Sequence, residues 1–209
     1  MLKIGITGVP GSGKTTMARA VASKCQGVIG LEQVELVQEY ARRYISKHGK
    51  IENIFEQYRI LEKQLEWEQS VCNDKLDIMI TDSPVFLGFN YSCELPKNDS
   101  KEVMFFNDIF KKMVSLNYPV PRYDAVFHLG LELKPLDDGI RPPQHFDENW
   151  RKKADMMIRA TMNIFKPYLF YTLEQEDLDQ RAEFCINRIK SLLKKNPDLP
   201  DMEGKFSGA

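Results

Sequence analysis

Short apolar runs alternate along the chain with longer segments in which apolar residues recur every three or four positions. The runs predict β-strands at residues 2–7, 34–37, 76–81, 124–129 and 169–173. The periodic segments predict helices at residues 14–24, 40–48, 51–72, 101–116, 147–165 and 178–194. The polar stretch 90–100, which contains Pro96, predicts a loop. Because strands alternate with helices, we predict an α/β fold with a parallel sheet covered by helices on both faces.

The length of 209 residues indicates one domain over residues 1–195, followed by a Pro- and Gly-containing tail at 196–209 that we expect to be flexible. The 29 basic and 30 acidic residues give a net charge of −1, which excludes a generally basic nucleic-acid coat but leaves room for a local basic groove. The four cysteines are scattered, the His residues lack metal-ligand spacing, and no apolar run matches a signal peptide or a membrane span. We therefore expect a reduced, cytoplasmic protein.

A glycine loop joins the first strand to the first helix. Residues 8–15 are GVPGSGKT and fit the pattern G-x-x-x-x-G-K-[ST]. The glycines let backbone N–H groups point at phosphate oxygens, and the following helix adds its N-terminal dipole. A glycine-rich turn that binds nothing is disfavoured, because an apolar strand precedes the loop and a helix follows it. The loop predicts a nucleoside triphosphate site formed by Gly8, Gly11, Ser12, Gly13, Lys14, Thr15 and Thr16.

Two side chains of this loop have specific expected tasks. Lys14 should reach the β- and γ-phosphates from an exposed helix start, and it counts as a catalytic residue. The Thr15 hydroxyl should bind Mg²⁺. The pattern predicts phosphate binding and leaves kinases, ATPases and GTPases open.

The strand at 76–81 ends in a single acid, Asp82, followed by Ser83 and Pro84. No N-K-x-D motif accompanies it, which argues against a GTPase, and the missing second acid argues against a motor ATPase. A lone acid at this position suits small kinases, where Asp82 would hold Mg²⁺ or accept the proton of the acceptor hydroxyl. The alternative is a turn aspartate, since Asp-Ser-Pro favours turns.

Acid and arginine residues follow the second strand. Glu39 could bind acceptor hydroxyls, and Arg42 or Arg43 could bind an anion at the carboxyl edge of the sheet. Surface ion pairs between Glu39 and these arginines explain the same spacing equally well.

A turn-rich segment rich in Arg and Lys precedes the sixth predicted helix. Residues 132–152 could form a lid in which Arg141 and Arg151 stabilise charge on the transferred phosphoryl group. An ordinary solvated loop is the alternative.

Four motifs now occur in a familiar order: the glycine loop, EYAR at 39–42, the strand ending at Asp82, and DGIR at 138–141. Over about residues 2–190 the chain resembles the nicotinamide riboside kinase domain of the bacterial NAD-biosynthesis regulator and its P-loop kinase relatives, many of them phage-encoded. The resemblance implies a P-loop NTPase fold, a three-layer α/β/α sandwich with a five-stranded parallel sheet and a mobile lid. It also implies Mg-ATP as donor and a nucleoside-like acceptor. The stretch 86–97 departs from the family pattern.

Three functions follow from these features. The leading hypothesis is a kinase that transfers the γ-phosphoryl group of ATP, with Mg²⁺, to a nucleoside or nucleotide. The second keeps this chemistry with a polynucleotide or a hydroxymethylated DNA base as acceptor, and the third is an ATP-driven switch without a small acceptor. We expect no membrane partner, and the sequence leaves a monomer or a homodimer open.

Overall fold

A computed structural model of the chain describes residues 1–118, 120, 122–131, 143–175 and 177–195. The strands of the sheet are β1 (Leu2–Gly8), β2 (Val34–Val37), β3 (Ile78–Asp82), β4 (Ala125–Leu129) and β5 (Leu169–Leu173). The α-helices of this part are α1 (Lys14–Lys24), α2 (Tyr40–His48), α3 (Ile54–Ser70), α4 (Phe86–Glu94), α5 (Ser100–Leu116), α6 (Glu148–Phe165) and α7 (Leu178–Lys195). A π-helical turn over Cys25–Ile29 continues α1, and a short 3-10 turn at Pro143–Phe146 precedes α6.

The strands form one parallel sheet in the order β2-β3-β1-β4-β5. The central strand β1 is almost fully buried and brings its carboxyl end, and hence the glycine loop, between the ends of β3 and β4. Gly5 is required here, because a Cβ atom at this position would lie 2.6 Å from Cγ of Pro84. The turn after β3 therefore packs directly on the central strand beside the glycine loop.

Helices cover both faces of the sheet. One core joins the sheet to α1 and α7, and the other joins it to α3, α4, α5 and the C-terminal half of α6. The buried side chains of α1 and α7 include Met17, Val21, Cys185 and Ile189, and those of the opposite core include Leu61, Phe86, Ile109 and Phe165. This arrangement confirms the predicted three-layer α/β/α fold with a five-stranded parallel sheet.

The bounds of most predicted elements agree with the structure within three residues. The loop predicted at 90–100 is correct only for residues 95–99, because α4 continues to Glu94 and α5 begins at Ser100. Helix α4 is apolar on most of its surface and packs between α3, α5 and α6. A helix surrounded in this way has no polar stripe, so periodicity could not reveal it. The helix stops before Pro96, which cannot continue it.

The predicted tail at 196–209 and most of the predicted lid, residues 132–142, lie outside the described residues. The limits of the domain at 1–195 stay a prediction. None of the helices described here has the length and apolar character needed to span a bilayer. All four cysteines are free thiols.

Candidate active site

The glycine loop lies at the carboxyl edge of the sheet, between β1 and α1. Gly11 and Gly13 adopt φ values of 79° and 86°, in the left-handed region that side chains disfavour. Gly8 needs space instead, since a Cβ atom there would lie 2.6 Å from Oγ of Ser12. Replacing these glycines would therefore open the curled backbone that is suited to holding phosphates.

Lys14, at the start of α1, is only 5% exposed. Its Nζ donates a hydrogen bond to the carbonyl of Val9 at 3.3 Å, so the side chain folds back over the loop. The expectation that Lys14 lies at an exposed helix start is wrong, because the start of α1 lies in the crevice between the strand ends. The lysine is thus already directed into the space that the loop encloses.

The hydroxyl residues of the loop differ in exposure. Ser12 is buried, and its Oγ has no hydrogen-bond partner among the described residues. Thr15 is half-buried, and its Oγ1 lies 3.5 Å from Nη1 of Arg42. Thr16 is exposed. Ser12 and Thr15 therefore offer oxygen atoms inside the loop, whereas Thr16 lies at its outer side.

Asp82 ends β3 beside the glycine loop and is 2% exposed. Its neighbour in the central strand is Ile6, and its Oδ1 has no hydrogen-bond partner in the part of the chain described. Ser83 has a φ of 111°, an unfavourable value for a residue with a side chain, and its N–H donates to the carbonyl of Ile6 at 3.2 Å. A buried carboxylate oxygen without a partner is costly, and strained backbone of this kind concentrates at functional sites.

A narrow cleft of about 20 Å³, which would have to widen to admit a substrate, lies on the side of Asp82 that faces α2 and α3. We call it the acceptor-side cleft, and its lining residues include Glu39, Gln57, Gln64, Ser83, Pro84 and Tyr91. Glu39 occupies the residue before α2, is half-buried, and makes no side-chain bond that caps the helix. The structure thus brings Glu39 and Asp82 to one edge of the sheet, as the sequence predicts.

The two predicted arginines of α2 point in different directions. Arg42 approaches Thr15 of the glycine loop. The guanidinium of Arg43 lies 5.7 Å from the ring centre of Trp67, on another side of the helix. Neither arginine lines the acceptor-side cleft. Arg42 lies beside the glycine loop, whereas Arg43 lines a different pocket, so only Arg42 comes near the predicted site.

Arg151, in the first turns of α6, is buried, and its Nη1 donates to the carbonyl of Pro10 at 2.8 Å. The contact attaches α6 to the backbone of the glycine loop, where Val9 also packs against Ala154. Arg141 lies outside the described residues.

A buried polar network supports the acceptor-side cleft from behind, and sequence reasoning missed it. The carboxylate of Glu68 on α3 is fully buried. It accepts hydrogen bonds from Arg122 at 2.8 Å and from the Thr81 hydroxyl at 3.2 Å, and it lies 2.9 Å from the hydroxyl of Tyr123. Burial raises the pKa of Glu68 above its usual value, although the Arg122 guanidinium favours the charged carboxylate.

The network reaches the cleft in two places. The Tyr123 hydroxyl accepts a hydrogen bond from the Val85 N–H at 2.9 Å, just after the Ser83-Pro84 turn. Gln64 donates to Thr81 at 3.4 Å and accepts from the N–H of Tyr40 at 2.8 Å, next to Glu39. The sequence contains one signal of this network. Glu68 lies seven residues after Leu61, on the apolar stripe of α3, where a carboxylate is unusual unless it has a partner.

A second buried network joins α6 to the sheet. His128 of β4 is fully buried and lies 2.6 Å from a carboxylate oxygen of Asp155. The other oxygen accepts a hydrogen bond from Arg159 at 2.7 Å, and Arg159 also donates to Thr172 of β5. Helix α6, which holds the glycine loop through Arg151, is thus fixed to two strands.

The chain matches the protein family described as AAA domain over residues 3–181. It belongs to this family. The matched range contains the glycine loop, Glu39, Asp82 and Arg151. A comparison with the curated proteins finds no match.

Solved structures with a similar fold include kinases of small molecules. The structure of NadR protein in complex with NR has a TM-score of 0.71 and 18% sequence identity, and the match covers 91% of this chain and 51% of that chain. Deoxyadenosine kinase from M. mycoides with bound dATP has a TM-score of 0.55 and 16% identity, with 91% and 100% covered. Thymidylate kinase from Ehrlichia chaffeensis has a TM-score of 0.57 and 15% identity, with 90% and 98% covered.

These likenesses confirm the predicted resemblance at the level of the fold. The chain has the P-loop kinase-like fold of NadR and of these deoxynucleoside and nucleotide kinases, and it spans about half the length of the NadR protein.

Proposed function

We propose that the protein is an ATP-dependent kinase that transfers the γ-phosphoryl group to a nucleoside or nucleotide. The observation that carries this proposal is the junction at Asp82 and Ser83. Asp82 lies beside the glycine loop with a buried oxygen that lacks a partner, and Ser83, the next residue, lines the acceptor-side cleft. A phosphate donor in the loop and an acceptor in the cleft would therefore meet at this carboxylate.

The residues of the loop fit a magnesium–nucleotide complex. Within the described ranges no three His, Cys, Asp or Glu side chains form a group that could hold a metal ion. A magnesium ion bound by few protein atoms needs hard oxygen donors together with phosphates, and Thr15 Oγ1 and the partnerless oxygen of Asp82 are such donors. When bound, the ion would neutralise charge on the phosphates.

The chain's own groups would then share the remaining work. Lys14 would leave the Val9 carbonyl and bind the β- and γ-phosphates. Arg151 would hold the loop through Pro10, and Arg42 would add positive charge next to Thr15. Arg141 would contribute charge from the lid on closure, when charge moves onto the transferred group.

On the acceptor side, Glu39 would bind a hydroxyl group of the substrate and orient it towards the phosphate. Asp82 would either anchor the metal or accept the hydroxyl proton. The similar folds of a NadR structure in complex with NR and of a deoxyadenosine kinase with bound dATP support a nucleoside or nucleotide as acceptor. A cytoplasmic location and the oligomeric state stay predictions.

Glu39→Gln tests the acceptor side. We expect kcat/KM for the acceptor to fall about thirtyfold, because a neutral amide binds a hydroxyl donor less strongly than a carboxylate does. The dissociation constant for ATP should change by less than about twofold, since Glu39 does not belong to the glycine loop. Acceptors should be screened among nucleosides, nucleotides and oligonucleotides with γ-labelled ATP.

Glu35→Gln is the matched control, because Glu35 is an exposed carboxylate on β2, four residues from Glu39. It should leave both constants unchanged. Equal acceptor kinetics in wild type and Glu39→Gln would overturn the assigned role of Glu39. An oligonucleotide as the only acceptor would instead favour a polynucleotide kinase, with affinity that falls steeply with salt.

A further inference from the structure

A second pocket lies between α2 and Trp67 of α3 and shares no lining residue with the acceptor-side cleft. It is lined by Tyr40, Arg43, Tyr44, Lys47, His48 and Trp67, and we call these six residues the basic–aromatic pocket. The five residues from α2 are spaced at intervals of three and four, so they form one stripe of the helix. None of the six lines the acceptor-side cleft.

The pocket combines aromatic rings with unneutralised positive charge. Tyr40 packs edge-on against Trp67 with ring centres 4.9 Å apart, and the guanidinium of Arg43 lies over the Trp67 ring. Neither Arg43 nor Lys47 forms an ion pair within the described part of the chain, and no acid lines the pocket. An anion that enters would therefore meet two cations beside an aromatic surface.

Helix α3 adds little net charge at this site. Lys63 is bound to Glu66 at 2.5 Å, so the two largely cancel. Burial raises the pKa of Tyr44, while Glu56 raises it further and Arg59 lowers it, so these two charges oppose each other.

The stripe of α2 that lines this pocket is not buried against the rest of the protein. Helix α2 has no buried residue, and Arg43, Lys47 and His48 are exposed. The rings of Tyr40, Tyr44 and Trp67 are half-buried, so part of each ring remains accessible to a ligand. Partly exposed aromatic rings next to exposed cations favour a binding site over a packing surface.

The volume of the pocket limits what it can hold. It is about 260 Å³, just below the usual range for small-molecule sites. One flat ring fits better than a large ligand. Trp and Tyr faces stack nucleobases without regard to sequence, and Arg binds phosphate through its forked N–H groups.

We propose that the basic–aromatic pocket binds a nucleobase together with its attached phosphate, at a site separate from the glycine loop and the acceptor-side cleft. The ring stacks on Trp67 in the place that the Arg43 guanidinium occupies without ligand, and the displaced Arg43 binds the phosphate together with Lys47. The same chemistry is offered by a free nucleoside monophosphate and by one nucleotide of a single strand. Tyr40 of the pocket follows Glu39 directly, and its N–H donates a hydrogen bond to Gln64 of the acceptor-side cleft. A ligand in the pocket can therefore influence the position of Glu39.

The test uses Trp67 as the reporter. The chain has two tryptophans, so Trp150→Phe leaves Trp67 as the sole one. Its fluorescence is titrated, without ATP, with adenosine monophosphate, adenosine, inorganic phosphate and a short oligodeoxyadenylate. Arg43→Ala with Lys47→Ala is the pocket variant. Lys101→Ala with Lys111→Ala, which removes two exposed lysines of α5, is the control with the same charge change.

We expect saturable quenching by adenosine monophosphate and binding about tenfold or more weaker in the pocket variant, with the control unchanged. Adenosine and phosphate alone should each bind at least about tenfold more weakly than the nucleotide, because each lacks half of the contacts. Tighter, salt-dependent binding of the oligonucleotide would assign the ligand to a single strand, and equal binding would assign it to a free nucleotide.

Three results would overturn the proposal. The first is that no ligand changes the fluorescence of Trp67, and the second is that quenching survives in the pocket variant. The third is that light scattering shows self-association of the wild type that the pocket variant loses, which would make the pocket a contact between two copies of the chain. Because the assay needs no phosphoryl transfer, a missing kinase activity would leave this result unaffected.

Discussion

The two halves of the candidate active site are built in different ways. The donor half consists of one continuous loop, residues 8–15, with Arg151 as its main distant support. The acceptor half takes its residues from Glu39, α2, α3, the turn after β3 and α4. Most side chains of both halves are buried, and α2 of the acceptor half is the exception, because it has no buried residue.

The difference indicates how each half can change. A loop whose shape depends on glycines and backbone bonds tolerates few substitutions, and the group that we propose it binds is one that all nucleoside triphosphates share. An acceptor cleft made of side chains from several elements can accept new substrates through single replacements. The buried network around Glu68 keeps these elements in register, so we expect it to matter for the acceptor more than for ATP.

The largest effect should come from the donor half. Lys14→Met should lower turnover by about a thousandfold, because the charge that binds the β- and γ-phosphates is lost. The methionine keeps the buried stem of the side chain, so the melting temperature should stay within about two degrees of wild type. Turnover with the best acceptor and thermal unfolding are measured together. Near-normal turnover of a folded Lys14→Met protein would contradict a nucleotide site in this loop.

Asp82→Asn should reduce turnover by about a hundredfold, because an amide neither anchors the metal nor accepts a proton as the carboxylate does. Its nearly equal volume should preserve the fold. The pH dependence of kcat distinguishes a metal anchor from a general base. If kcat of the wild type falls at low pH and this fall is absent in Asp82→Asn, then Asp82 is the base. Turnover within about threefold of wild type would make Asp82 a turn residue.

The buried network gives a smaller and more selective effect. Thr81→Val keeps the shape but removes the hydroxyl between Gln64 and Glu68. We expect the KM for the acceptor to rise about tenfold, with the KM for ATP unchanged, because only the acceptor half depends on this link. Thr172→Val is the control, because the Thr172 hydroxyl bonds Arg159 at the opposite edge of the sheet, and it should change neither constant. A parallel rise in both KM values would refute the division into two halves.

The smallest effect concerns the support of the donor half by α6. Burial pushes the pKa of Asp155 upward, but hydrogen bonds from His128 and Arg159 outweigh it and lower the pKa below its usual value. Because its pKa is lowered, the ionised carboxylate of Asp155 stabilises the fold at pH values above the ordinary carboxylate pKa of about 4. This stability is lost as the pH falls through the pKa of the folded state.

Asp155→Asn should therefore destabilise the fold by about 2 kcal/mol at neutral pH, and the difference from wild type should shrink on acidification. Asp108→Asn, at a surface pair with Lys111, should show little difference at any pH. Thermal unfolding across the pH range measures both, and a difference that is independent of pH would contradict the ionic role of Asp155.

Features formed by residues that are close in sequence were predictable, whereas features formed by residues far apart in sequence were not. The glycine loop and Asp82 could be placed because a motif and a strand end determine their positions in a parallel sheet. Helix α4 was missed because its burial on several sides removes the amphipathic signal. The link from Glu68 to Thr81, Tyr123 and Arg122 spans up to 55 residues, and no local pattern encodes it.

The burial of Lys14 shows the same limit at shorter range. Its place in the motif was evident, but its hydrogen bond to Val9 depends on how far the loop curls back. Arg42 and Arg43 are adjacent in sequence and equally plausible there, yet the rotation of α2 directs them to different sides. Such choices depend on how a helix sits on its neighbours, which a single sequence does not specify.

The most direct test of the account is the fate of the γ-phosphate. ATP labelled at this position is incubated with the protein and Mg²⁺, with and without a panel of nucleosides and nucleotides, and the label is separated into acceptor product and inorganic phosphate. We predict that most of the label enters one nucleoside or nucleotide, and that Lys14→Met abolishes this transfer. Release of the label as inorganic phosphate at a rate that no acceptor changes would contradict it and would identify an ATPase instead.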